Sequence, residues 1–149
     1  MECVRVYEMP ACKMAVSQCG MFGDGKLEKF ADWFSSLPAT MFPKDYLWFD
    51  GKQNGFVWGY TCGDEITVPE DFEVIDFPGG LYAVATDIDG QDDTPARNAI
   101  KDFIEKKGCF EIDVSREMMG NIITSHSAQN AMGYNQMDYY TPIKIKNNI

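Results

Sequence analysis

The sequence predicts an α+β fold of tandem duplicated β-β-α-β-β modules with pseudo-twofold symmetry, an antiparallel sheet and two main helices. Three observations predict it. Short alternating apolar segments, bounded by Gly and Pro, recur along the chain. Two longer segments switch to a helical period, with apolar residues at Leu27, Phe30, Phe34 and Leu37 and at Ala96, Ile100, Phe103 and Ile104. Residues 6–16 also lie over residues 74–84 without gaps, so that Pro10 meets Pro78, Ala15 meets Ala83 and Val16 meets Val84. The repeats run over about residues 1–68 and 69–149. A module with one helix covers only part of its sheet. Two modules together bury a common core, and the seam between them is the expected ligand cleft.

The elements follow in order. Residues 4–7 alternate as a first strand, Met9-Pro10-Ala11 turns, and residues 13–17 form a second strand. Asp24 is placed to cap the first helix, and Pro38 ends it. Residues 46–50 and 56–62 flank Gly51-Lys52-Gln53-Asn54-Gly55 as a hairpin. Residues 72–77 open the second series, Pro78-Gly79-Gly80 turns, and residues 81–86 form a strand. Thr94-Pro95 predicts an N-cap followed by proline at the first helical position, with Gly108 as the stop. Residues 110–114 read as a strand, and residues 125–133 are ambiguous, with room for a short helix. Residues 137–145 are the last strand, in which Pro142 predicts an edge or a bulge.

Composition narrows the function. With 149 residues, 45% hydrophobic and 13% aromatic, one domain over 1–149 can bury a core. No apolar run reaches the ~18 residues of a membrane span, and the N-terminus lacks the basic start and apolar block of a signal peptide. No membrane partner is expected. The net charge of −10 comes without a basic stripe, which argues against direct nucleic-acid contact and favours cationic ligands or basic proteins. The five cysteines, Cys3, Cys12, Cys19, Cys62 and Cys109, are odd in number and lack C-x-x-C spacing, so they read as reduced core fillers of a cytoplasmic protein. No metal or cofactor is expected. The one histidine, His126, lies in the polar stretch Thr124-Ser125-His126-Ser127, which suits a surface or capping role. Residues 87–93 lack the full calcium-loop pattern, residues 20–25 are not followed by Lys-Ser/Thr, and G-x-S-x-G is absent.

Several segments together resemble a known family. They are Glu8-Met9-Pro10-Ala11, the loop and helix over residues 20–37, residues 59–63, Phe77-Pro78-Gly79-Gly80-Leu81-Tyr82-Ala83-Val84, and Asp138-Tyr139-Tyr140-Thr141-Pro142-Ile143-Lys144. The pairing of a central PGG-x-YAV with a terminal DYY-x-PI resembles the GyrI-like, or bacterial transcription-activator effector-binding, family. The resemblance implies a groove between repeats that takes varied, often cationic and aromatic, compounds, as in multidrug binding. Members are the sensing half of AraC- or MerR-type regulators, or free-standing proteins. The latter include a gyrase-inhibitor branch and hydrolases that open strained toxins. No helix-turn-helix accompanies the strands, so the resemblance implies a free-standing sensor or sequestering protein, or the effector part of a longer regulator. A homodimer, or a fused or partner DNA-binding domain, is compatible with either. The family's buried acid falls on Asp138 or on Glu117, which precedes Met118.

The residues themselves suggest the same chemistry. Aromatic rings give flat apolar area and attract cations through their faces. The candidates for a ligand wall are Trp33, Trp48, Trp58, Tyr60, Tyr82, Tyr139 and Tyr140, with Met118 beside the acid. Trp58 and Tyr60 share a strand face, and Met14 and Tyr82 occupy equivalent places in the two repeats. A buried carboxylate at Asp138 or Glu117 would select a delocalised cation over a neutral isostere. A hydrolase would instead use Glu117 or Asp138 with Tyr140 or Tyr60 as acid or base. A gyrase-inhibitor-like module would use the acidic surface to bind a protein.

Overall fold

The computed structural model of the chain describes residues 3–147. In chain order the strands and helices are β1 (Arg5–Met9), β2 (Cys12–Val16), α1 (Lys26–Ser35), β3 (Asp45–Asp50), β4 (Gly55–Cys62), β5 (Glu73–Phe77), β6 (Gly80–Ile88), α2 (Thr94–Lys107), β7 (Phe110–Ile112), β8 (Met119–Ile122), α3 (His126–Met132) and β9 (Gln136–Ile145). The fold is α+β, neighbouring strands pair antiparallel (β1 with β6, β2 with β4 and β5, β3 with β4, and β9 with β6, β7 and β8), and two long helices dominate. The chain forms two compact units: Pro10–Gly79, and the residues up to Met9 together with those from Gly80 onward. The unit boundaries therefore fall in the two Pro-containing turns, and β1 belongs to the unit of β6 rather than to that of β2.

In the 10–79 unit the strands lie in the order β3-β4-β2-β5. Leu27 and Phe30 are fully buried on α1, and Phe30 packs with Ala15, Tyr60 and Phe72. Trp33, Phe34, Leu37 and Trp58 close around that core. The helix starts one residue later than Asp24 predicts. Gly25, at φ 93°, is the N-cap, and Glu28 accepts its N–H at 2.9 Å, the half of a capping box that a residue without a side chain can make. Asp24 instead organises the approach, accepting from Met21 and Lys26 at 2.9 Å each. Its carboxyl is held below the usual range by the Met21 N–H and then by that of Lys26.

In the other unit β6 runs between β1 and β9. Helix α2 covers one face through Ala96, Ile100 and Ile104, spaced four apart, against Ala83, Ala85, Tyr139 and Ile143. Its N-cap is Asp93 rather than Thr94. Asp92 accepts both the N–H and the hydroxyl of Thr94, and Pro95 sits in the first turn. Gly108, at φ 69°, ends the helix as expected. The ambiguous 125–133 stretch holds α3, capped by Ser125, whose Oγ accepts from the Ala128 N–H at 3.2 Å. His126 is its first residue and is exposed.

Two strand features correct the sequence reading. Strand β8 is absent from it, because Met119-Gly120-Asn121-Ile122 has neither alternation nor β-branched density. It forms by pairing with β9. Pro142 lies in an interior strand, not at an edge: β9 pairs with β6 on one side and with β8 and β7 on the other. The proline is tolerated because it falls between the two short partners, β8 ending its register at Tyr140 and β7 beginning at Ile143. There its carbonyl accepts from the Asp113 N–H at 2.9 Å, and its missing N–H removes no ladder bond on that side.

Candidate functional site

In the 10–79 unit, alternation puts Met14 and Val16, Val57 and Gly59, Tyr46, Trp48 and Asp50, and Glu73 and Ile75 on the sheet face away from α1. A cavity of about 600 Å³ opens there, walled by Trp48, Val16, Val57 and Ile75. Gly59 is what admits the indole. A Cβ at that position would stand 2.9 Å from Trp48 Cζ3 and would also collide with the Met14 thioether. The rim is acidic, with Asp50, Glu70, Asp71 and Glu73 set against Lys26. Asp71 pairs with Lys29 at 2.6 Å. Asp50 accepts from Gln53 Nε2 at 2.9 Å and from the Lys52 N–H at 2.9 Å. The Gln53 side chain first, and then its N–H, hold the Asp50 carboxyl below its ordinary range, so it stays ionised in neutral solution. The cavity thus joins a flat aromatic wall to fixed negative charge.

The other predicted rings are elsewhere in this unit. Trp33, Trp58 and Tyr60 are brought together beneath α1, on the face opposite Trp48. Tyr60 stacks on Phe34 at 5.6 Å, Trp33 meets Tyr60 edge-on at 6.0 Å, and Trp58 meets Phe34 at 5.3 Å. Among them sits a carboxylate that residue type alone does not reveal. Asp45 Oδ2 accepts from Trp58 Nε1 at 3.1 Å. Burial pushes the Asp45 carboxyl up, more than the indole bond pulls it down.

In the other unit Tyr82, Asp138 and Tyr140 share the face away from α2. Tyr82 is 1% exposed, and its ring meets Tyr140 at 5.9 Å. Asp138 is buried but engaged: Arg5 Nη2 donates to Oδ1 at 2.7 Å and Thr86 Oγ1 at 2.5 Å. Burial works against the Arg5 charge, but the bond to Asp138 and its negative charge outweigh it and raise the guanidinium's pKa. Glu117 and Met118 are exposed between β7 and β8, and the Met118 sulfur lies 3.8 Å from Arg97 Nη1.

The Pro78-Gly79-Gly80 motif has its own physical role. Gly80 takes φ 121°, which an L side chain rarely adopts, and a Cβ there would meet Arg116 Nη1 at 2.6 Å. Arg116 fills that space, lies 4.7 Å over the Tyr82 ring and donates to the carbonyls of Leu81 and Ile143. Asp113 holds it at 2.9 Å. Tyr82 and Met14, which the sequence alignment of residues 6–16 on 74–84 sets over each other, are both buried, each on the face away from the helix of its own unit.

No family model matches the sequence, and no curated protein does. Solved structures do match. A hydrolase from Listeria innocua aligns with a TM-score of 0.70 at 9% identity, over 96% of this chain and 92% of that one. The C-terminal domain of EcmrR aligns at 0.60 and 11% identity, over 95% and 96%. SAV2435 bound to tetraphenylphosphonium aligns at 0.56 and 8% identity, over 95% and 93%. The chain shares their fold. Among the described residues, no group of three or more His, Cys, Asp or Glu is placed to hold a metal, and no helix is long and apolar enough to cross a membrane.

Proposed function

We propose that the chain binds a small organic cation with an aromatic or apolar body and holds it against Trp48. The observation that carries this reading is the cavity of about 600 Å³ in which that indole faces an acidic rim. Its volume suits a drug-sized molecule. An indole face attracts a delocalised cation, and ionised carboxylates add long-range attraction that a neutral isostere does not feel. The likeness of fold to SAV2435, which holds tetraphenylphosphonium, supports the same ligand class. The likeness to the C-terminal domain of EcmrR, a protein also seen in complex with DNA, supports a role as the effector-sensing part of a cytoplasmic regulator, or as a free-standing sensor of GyrI-like type.

Thermal denaturation with tetraphenylphosphonium tests the reading. At ~100-fold its dissociation constant a ligand should stabilise the protein by about 2.7 kcal/mol. Triphenylphosphine oxide, which is neutral, should bind at least about tenfold more weakly, and added salt should narrow that gap. Trp48→Ala should weaken tetraphenylphosphonium binding by roughly tenfold or more. Equal affinity in wild type and Trp48→Ala would remove the cavity from the reading. Equal affinity for the charged and neutral compounds would remove the charge.

A further inference from the structure

The Trp48 cavity has two acidic ends. Within the 10–79 unit the strand order β3-β4-β2-β5 puts Asp50 and Glu73 on opposite outer strands, and both face away from α1. Three strand spacings separate those strands, about 14 Å between backbones across the sheet. Val57 and Val16, on the two strands between, line the same cavity and give it an apolar floor. The Trp48 indole stands at the Asp50 end, two residues away on the same strand face.

The charges at these ends are not cancelled. Asp50 accepts from neutral groups, the Gln53 side chain and the N–H groups of Lys52 and Gln53. At the other end Asp71 is paired with Lys29, and Lys26 offsets at most one of Glu70 and Glu73. Neither glutamate side chain has a hydrogen bond or ion pair among the described residues. Negative charge is therefore left at both ends of an apolar floor, and a single cation held on Trp48 answers only one of them. We infer that the ligands of this cavity are elongated dications, an inference that rests on the cation-binding reading above. One cationic head lies on Trp48 beside Asp50, an apolar linker crosses Val57 and Val16, and the second head reaches Glu73 and Glu70. Bis-quaternary amines and bis-amidines have this form. The linker makes the second contact intramolecular, so it adds affinity without the cost of a second association.

Calorimetric titration of the full chain tests this with decamethonium and decyltrimethylammonium, which share a ten-carbon chain and differ in the second head. Decamethonium should bind about fivefold tighter or more at low salt. Two equivalent heads give about twofold by count alone, so a ratio no larger than that overturns the inference. Hexamethonium is too short to reach both ends, so its advantage over hexyltrimethylammonium should stay near that statistical value; an advantage as large as that of decamethonium would mean general attraction to an acidic protein. Replacing both glutamates, Glu70→Gln with Glu73→Gln, should bring the decamethonium ratio down to the statistical value. Glu105→Gln, an exposed acid on α2 of the other unit, should leave it intact. The wild-type comparison of the two chain lengths decides the matter even if the double variant does not fold. Tetraphenylphosphonium separates the two readings: if it binds in a Trp48-dependent way while decamethonium has no advantage, the cavity stands and the second head falls. If neither compound binds, both fall.

Discussion

Asp45 and Asp113 are opposite cases of one carboxylate responding to its surroundings. Burial raises Asp45 in the folded chain above its unfolded value of ~4. Its favourable contribution is therefore complete below pH ~4 and is lost as pH rises through the folded value. Asp45→Asn keeps an acceptor for Trp58 Nε1, so it should raise the melting temperature at neutral pH and have little effect near pH 3, as calorimetry across pH would show. Asp113 is lowered to about 2, first by the Ser115 hydroxyl and then by Arg116. Its contribution is present above pH ~4 and disappears as pH falls through about 2. Asp113→Asn should therefore melt lower than wild type at neutral pH and converge with it in strong acid; a constant gap across pH would contradict the assignment. Neither residue stands out in the sequence. Both depend on where distant elements place their neighbours: the Trp58 indole for one, the Arg116 guanidinium for the other. Gly80 was visible as a turn residue, but the guanidinium that occupies the space beside it was not.

Helix α1 is the element the sequence describes most completely, because Leu27, Phe30, Phe34 and Leu37 repeat at the helical period and have no competing pattern. Phe30 is fully buried and touches Trp33, Phe34 and Phe72 at ring-centroid distances of 4.9–5.7 Å. Phe30→Ala should lower unfolding free energy by about 3–5 kcal/mol in urea titration. A loss under ~1 kcal/mol would mean that the site collapses without a cavity. Strand parity is legible in the same way, up to a limit. A period of two says that Trp58 and Tyr60 share a face, but not that α1 lies over it and leaves Trp48 on the other. That choice depends on the helix, and it separates the ring wall of the cavity from the rings of the core. Strand β8 and the position of Pro142 were out of reach for a related reason: both are set by partner strands, not by local pattern.

At the scale of the molecule the sequence match that sets Pro10 over Pro78 marks two turns, and those same turns are where the chain changes unit. Covalent order and structural membership therefore disagree at the N-terminus. Strand β1 has a structural role far along the chain, because Arg5 supplies the guanidinium that faces Asp138, 133 residues away in sequence. Deleting β1 should weaken the far half of the polypeptide, since it takes the cation from Asp138 and uncovers one edge of β6, readable as faster amide exchange along β6 and β9. Unchanged exchange there would show that the strand is dispensable. The converse also follows. A chain cleaved between Met9 and Pro10 would keep its first strand only by non-covalent bonds, so a synthetic nonapeptide could be traded in and out. The molecule would then be a two-part reporter, assembled by a short tag on one partner and the truncated body on another.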